Sequence, residues 1–221
     1  IHFKHGKTCV SKNKYSGAMF CENLGADLII MDDGLQSIDV EKKIKILVVD
    51  DDYGFGNSRV FPSGPLRTTV KESIESSDII IVIGNKTFSN QQKFNIQNKN
   101  IYLAKKTIKP NKFKNQRLYV FSALGNNKNF HNSLLNEGYK IEKIKEFPDH
   151  YKFKKKEIID ILKEADEMKL KIICTQKDFV KIPYEFKKYI YPIDLEIKIK
   201  NHLKFKNCLL YTSDAADDCR C

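Results

Sequence analysis

The chain has 221 residues, 41% of them hydrophobic and 30% charged, with a formal charge of +11. That is enough to bury a core in one large or two small domains, and the composition excludes a disordered polyelectrolyte. It also excludes a helical membrane span, because no apolar run approaches the ~18 residues one needs.

The chain opens on Ile1-His2-Phe3-Lys4-His5, which has neither an initiator Met nor a signal-peptide shape, so it reads as the interior of a longer gene product. Gly6-Lys7-Thr8 has the tail of a phosphate-binding loop. Its required leading glycine falls at Ile1, however, and no strand can precede it, so it is set aside. His5 and Cys9 lack a second ligand pair for zinc. The six cysteines show no paired CxxC spacing, and Cys21 and Cys174 lie in apolar segments, which fits a reducing compartment.

Ser16 to Leu24 has helical spacing. Ala26 to Met31 (ADLIIM), Ile44 to Val49 (IKILVV) and Asp78 to Ile83 (DIIIVI) are continuous apolar runs, as expected of strands buried on both faces of a parallel sheet. Val70 to Ser76 reads as a helix that Thr68 or Thr69 can cap. From Asn85 to Asn115 the chain is polar, apart from Ile101 to Ala104, and this region contains the expected linker. A second α/β unit follows: strands at Arg117 to Ala123, Ile141 to Phe147 and Lys171 to Cys174, and helices at Phe130 to Glu137 and Lys154 to Leu170. Leu195 to Ile199 reads as an edge strand. Residues 209–221 lose the lysine-rich character of the rest and read as a non-native tail. The expected division is 1–98, a linker at 99–115, a smaller domain at 116–207, and a tail at 208–221.

Four strings carry chemistry. Asp32-Asp33-Gly34-Leu35-Gln36 follows an apolar run, which is how carboxylates reach the edge of a parallel sheet to hold Mg²⁺ beside a nucleotide. Gly54 to Arg67 (GFGNSRVFPSGPLR) is a Gly/Pro loop that ends on a guanidinium suited to phosphate. Phe147-Pro148-Asp149-His150-Tyr151 sets an Asp beside a His, a pairing that can serve a general base. Thr175 to Lys181 (TQKDFVK) follows a strand and can either cap it or line a cleft. Of the 39 basic residues only Arg59, Arg67, Arg117 and Arg220 are arginine. The excess lysine reads as solvated surface, and the chain shows no RNP string, GXXG loop or zinc pattern of a nucleic-acid module. A basic nucleic-acid-binding module and another small-molecule kinase stand as the alternatives. A positive surface also suits an anionic membrane leaflet.

Taken in order, DDGLQ, GFGNSRVFPSGPLR, FPDHY and TQKDFVK resemble the motif series of the tetraacyldisaccharide 4'-kinase family, from about Lys12 to about Lys206. The resemblance implies an α/β fold, with a P-loop NTPase-like parallel-sheet core, incomplete here, a smaller C-terminal α/β domain, and an active site in the cleft between them. It implies transfer of the ATP γ-phosphate, with Mg²⁺, to the 4'-hydroxyl of a tetraacylated glucosamine disaccharide at the cytoplasmic face of the inner membrane, with no nucleic-acid partner. Asp32 and Asp33 match the metal and phosphate carboxylates, His150 the catalytic histidine with Asp149 beside it, and Arg67 the phosphate arginine. Gln36, Asn57 and Lys14 match substrate-side positions. Thr68 and Gln176 stand where the family usually has Glu, Leu35 where it has Phe, and Lys14 where Arg is common. The phosphate loop, an acidic GDE motif and a membrane-attaching helix lie upstream in the family, so this chain alone is expected to be inactive.

Overall fold

A computed structural model describes residues 6–84, 99–109 and 111–214. His5, residues 85–98 of the polar region and residues 215–221 of the expected tail lie outside it. In chain order the elements are α1 (Lys14–Asn23), β1 (Ile46–Asp50), α2 (Val70–Glu75), β2 (Ile79–Ile83), β3 (Asn100–Ile108), β4 (Arg117–Ser122), α3 (Asn127–Asn136), β5 (Lys140–Glu146), α4 (Lys155–Glu167), β6 (Lys171–Thr175), α5 (Gln176–Phe179), β7 (Ile190–Ile193), β8 (Leu195–Ile199) and α6 (His202–Asp214). The expected α/β class with parallel sheets holds.

The chain forms two compact units. The N-terminal unit, Lys7–Lys106 together with the chain from Ile197 on, contains the sheet β1-β2-β3-β8. β1, β2 and β3 are parallel. Lys200 bonds to Leu103, and Glu196 to Thr107, so β8 runs antiparallel on the edge. β2 (IIIVI) is buried on both faces, which is why its sequence is an unbroken apolar run. Ile80 and Val82 pack with Val70 and Ile74 of α2 on one face, while Ile79, Ile81 and Tyr102 meet Phe205, Cys208 and Leu209 of α6 on the other. Thr69 caps α2 in a reciprocal box with Glu72, whose carboxyl the Thr69 amide and hydroxyl hold below its ordinary value.

Three expectations change here. Ala26 to Met31 forms no strand: Leu28 is 78% exposed and Ile30 86%, because no described strand lies beside the run to complete its ladder. Residues 99–115 are not simply a linker, because β3 crosses them as a nine-residue strand whose Tyr102 and Ala104 are buried. Cys208 and Leu209, assigned to a tail, belong to α6 and pack on the sheet. The chain therefore re-enters the N-terminal unit after Glu196 rather than ending in the smaller domain.

The C-terminal unit, Thr107–Glu196, contains the sheet β5-β4-β6-β7, parallel throughout. Alternate residues of β4 serve opposite cores. Tyr119 and Phe121 face α4 with Phe153, Ile158 and Ile161, while Leu118 and Val120 face α3 with Phe130 and Leu134. Phe121 is fully buried and meets Phe153 edge-on at 5.4 Å, a placement that stabilises by roughly 1.5–3 kcal/mol through burial alone. The chain steps from β4 to β5 on one side and then crosses to β6 on the other. The carboxyl ends of β4 and β6 therefore flank a switch point, the place where open α/β sheets leave room for ligands.

Candidate active site

In the N-terminal unit the DDG turn follows the exposed apolar run. Asp33 has a left-handed backbone (φ 52°), a conformation Asp tolerates better than most side chains. Gly34 is buried against Met31, where an added Cβ would come within 2.8 Å of the Met31 Cβ, so the turn has no room for a side chain. The Arg67 Nη1 lies 2.7 Å from the Asp33 Oδ2, joining two motifs 34 positions apart in the numbering. Both side chains are exposed, at 67% and 60%. Lys14 donates to the backbone carbonyls of Asp32 and Asp33, so it fastens this turn instead of extending toward a substrate. Gln36 is exposed in the next turn, which the Ser37 amide closes on the Gly34 carbonyl.

The long glycine loop is a built structure. Val60 bridges to Leu66, the Phe61 amide bonds to the Leu66 carbonyl, and Phe61-Pro62 is cis. Asn57 donates to the Ser63 carbonyl at 2.8 Å and accepts from the Arg59 amide at 3.1 Å. Its amide thus ties the loop together from within, a role that differs from the expected substrate contact. Gly64 closes against it: an added Cβ would sit 2.2 Å from the Asn57 Oδ1 and 2.3 Å from the Arg59 oxygen. The loop thereby delivers Arg67 to Asp33 two residues before the cap of α2.

In the C-terminal unit the motifs lie at the carboxyl ends of β4, β5 and β6. His150 is left-handed (φ 59°) and 78% exposed, and its Nε2 is 3.7 Å from the Asp149 Oδ2. The Asp149 Oδ1 accepts from the His150 amide at 2.9 Å and from the Lys177 Nζ at 3.2 Å. Partial burial pushes the Asp149 carboxyl up, but the Lys177 ammonium and the His150 amide outweigh it and hold the group below its ordinary value of 3.8. The loop is anchored by aromatic packing, with Phe147 stacked on Tyr151 at 5.0 Å and edge-on to Phe153.

Sequence reasoning missed the support beneath this pair. Asp178 is fully buried and accepts from the Thr175 hydroxyl at 2.7 Å and the Ala123 amide at 3.0 Å, with the Lys181 Nζ 3.1 Å away. Thr175 in turn accepts from the Asp178 amide and caps α5. The threonine-x-x-aspartate spacing was the available signal. Asn127 links the β4 and β5 loops, accepting from the Leu124 amide and donating to the Phe147 carbonyl. Nearby, His131 bridges Ser122 and Glu146 at 3.2 Å each, and burial pushes its ring below the ordinary value more than Glu146 raises it. Burial raises the Cys174 thiol far above its ordinary range, which removes it as a nucleophile.

No three acidic, His or Cys groups cluster to hold a metal among the described residues. Asp32 and Asp33 supply hard carboxylate oxygens at an exposed turn, which fits Mg²⁺, an ion that takes one or two protein carboxylates and draws its other ligands from phosphate and water.

Curated tetraacyldisaccharide 4'-kinases match at 28% identity over 178 residues (Bradyrhizobium diazoefficiens), 30% over 186 (Paramagnetospirillum magneticum) and 31% over 180 (Chelativorans sp.). The matches cover 78%, 83% and 79% of this chain, which spans about half the length of those relatives (53%, 57% and 52%). The crystal structure of the "apo" form of LpxK from Aquifex aeolicus in complex with ATP shares the fold, with a TM-score of 0.62 at 22% identity over 89% of this chain and 61% of that one. Residues 2–212 match the LpxK family model, so the chain belongs to the tetraacyldisaccharide-1-P 4'-kinase family.

Proposed function

We propose that this protein transfers the γ-phosphate of ATP to the 4'-hydroxyl of a tetraacylated glucosamine disaccharide 1-phosphate, giving lipid IVA. The observation that carries the reading is the Asp149–His150 pair at the carboxyl edge of a parallel sheet, in a chain of this family. The Asp149 Oδ2, 3.7 Å from Nε2, would favour the Nε2–H tautomer of His150 once the two close to hydrogen-bond distance, which leaves Nδ1 to accept a proton. As the hydroxyl oxygen forms its bond to phosphorus, the hydroxyl proton passes to Nδ1 and the bond to the ADP oxygen breaks. Asp149 then faces an imidazolium and stabilises it. In the N-terminal unit, Asp32 and Asp33 would hold Mg²⁺, which neutralises charge on the phosphate oxygens. Arg67 adds a guanidinium suited to the equatorial phosphate oxygens. The acceptor is a lipid, so the working site belongs at the inner-membrane surface on the cytoplasmic side, where the lysine excess suits anionic headgroups. Among the described residues no helix is long and apolar enough to cross a membrane.

The test is ATP-dependent phosphorylation of the disaccharide by the protein at its relatives' full length. His150→Ala should lower kcat by roughly 10²–10⁴-fold, the usual contribution of a general base. An undiminished rate would remove His150 from the chemistry.

A further inference from the structure

TQKDFVK is the motif to which the proposed reaction gives no part. Thr175 and Asp178 lock the first turn of α5 to the ends of β6 and β4. Gln176 reaches Asp194, beyond β7, from the same turn. The backbone of Lys177 is therefore held on both sides by side-chain bonds. Its ammonium has one partner of opposite charge among the described residues, 3.2 Å away: the Asp149 Oδ1.

We infer that Lys177 is a positioning residue for the Asp149–His150 pair, occupying one carboxylate oxygen of Asp149 so that the other faces the imidazole. The inference deepens the proposed function and rests on His150 acting as the base. The Asp149 Oδ1 is taken up by two donors, the His150 amide and the Lys177 ammonium. The Oδ2 remains on the imidazole side, 3.7 Å from Nε2 and against Gly125. Without Lys177 the carboxylate could rotate, exchange its oxygens and let the ring turn over. The charged groups facing Asp149 are Lys177 from α5 and His150 from its own loop. Among the described residues the Lys177 ammonium meets Asp149 and not the imidazole, so it acts through Asp149.

Two measurements test this. In the 221-residue chain, NMR would follow the Asp149 carboxyl carbon through an acid titration and the two His150 ring nitrogens for their tautomer ratio. Lys177→Met should move the Asp149 midpoint up toward 3.8 and lower the share of the Nε2–H tautomer, while Lys177→Arg keeps both near the wild type. Unmoved signals in Lys177→Met, with the fold intact by circular dichroism, would overturn the inference. In the protein at its relatives' full length, Lys177→Met should lower kcat about 10-fold with KM for ATP and lipid unchanged, and Lys177→Arg should recover most of the loss. An equal loss in both variants, or a rise in KM alone, also counts against it. If His150→Ala leaves phosphotransfer intact, the base assignment fails, whereas the NMR arm still decides whether Lys177 orders the pair.

Discussion

At Asp149 the chain leaves β5, an edge strand paired in parallel with β4, and the turn that follows rests on Phe147, Asn127 and the buried Asp178 network. At Asp33 it leaves an exposed segment outside any strand, and the turn is fastened by the Lys14 ammonium and one exposed ion pair to Arg67. Both turns put an Asp or His into left-handed backbone, so both need outside support to keep that conformation. The C-terminal unit supplies it from a buried network of low dielectric, where each bond counts for more. The N-terminal unit supplies it from solvent-screened charge, where each counts for little. A carboxylate meant to hold one proton donor in one orientation gains from the first kind of support. Carboxylates meant to meet a hydrated ion and a mobile phosphate gain from the second, because their partners arrive from solvent.

The contrast breaks first at Asp178. Asp178→Ala strands the buried Ala123 amide and the Thr175 hydroxyl and removes the partner of Lys181, so it should cost about 3 kcal/mol in urea unfolding. Asp178→Asn, which keeps an acceptor oxygen, should cost clearly less. A loss under about 1 kcal/mol for the alanine variant would mean that the C-terminal turn is no better founded than the N-terminal one.

A smaller effect comes from acid. His131 ties the end of β4 to Glu146 on β5, with Ser122 on its other nitrogen, and its ring is held below its ordinary value of 6.5. As pH falls, the unfolded chain takes up this proton before the folded one does. The stability from the neutral ring is therefore complete above about pH 6.5 and declines between there and the lowered folded value, with a slope of at most about 1.4 kcal/mol per pH unit. Hydrogen exchange should show β4 and β5 loosening over that window while β1 and β2 stay protected, and His131→Gln should flatten the difference. Equal loosening of both sheets would place the acid sensitivity elsewhere.

How much of this was legible depended on whether a residue's job was local. β2 and β4 showed as continuous apolar runs because burial on both faces leaves no polar position. ADLIIM is also mostly apolar, but strand formation needs a neighbouring ladder, which a single segment cannot reveal, and Leu28, Ile29 and Ile30 stand exposed. β3 was hidden because Lys105 and Lys106 make its second half read as polar linker. The paired residues Asp149 and His150 were visible as neighbours in sequence. The ties Lys177–Asp149, Asp178–Ala123 and Arg67–Asp33 join positions 28, 55 and 34 apart, and only the folded chain brings such residues together. Asn57 and Lys14 bond to backbone carbonyls of their own chain, contacts that no spacing in the sequence displays.

The smallest stability effect is the most telling about the N-terminal turn. The Arg67–Asp33 pair is more than half exposed on both sides, so its net contribution to folding is under about 1 kcal/mol, and Arg67→Ala should shift the urea midpoint very little. If the guanidinium is there for phosphate, the same substitution should lower kcat in the protein at its relatives' full length by about 10²–10³-fold, the usual loss when one charge-stabilising donor is removed. Arg67→Lys should recover only part of that, because an ammonium keeps the charge without the planar fork. A large fall in stability with an unchanged rate would invert the assignment: Arg67 would then be a strut for the DDG turn, and the solvent-facing ion pair would be a fold element like the buried one at Asp178.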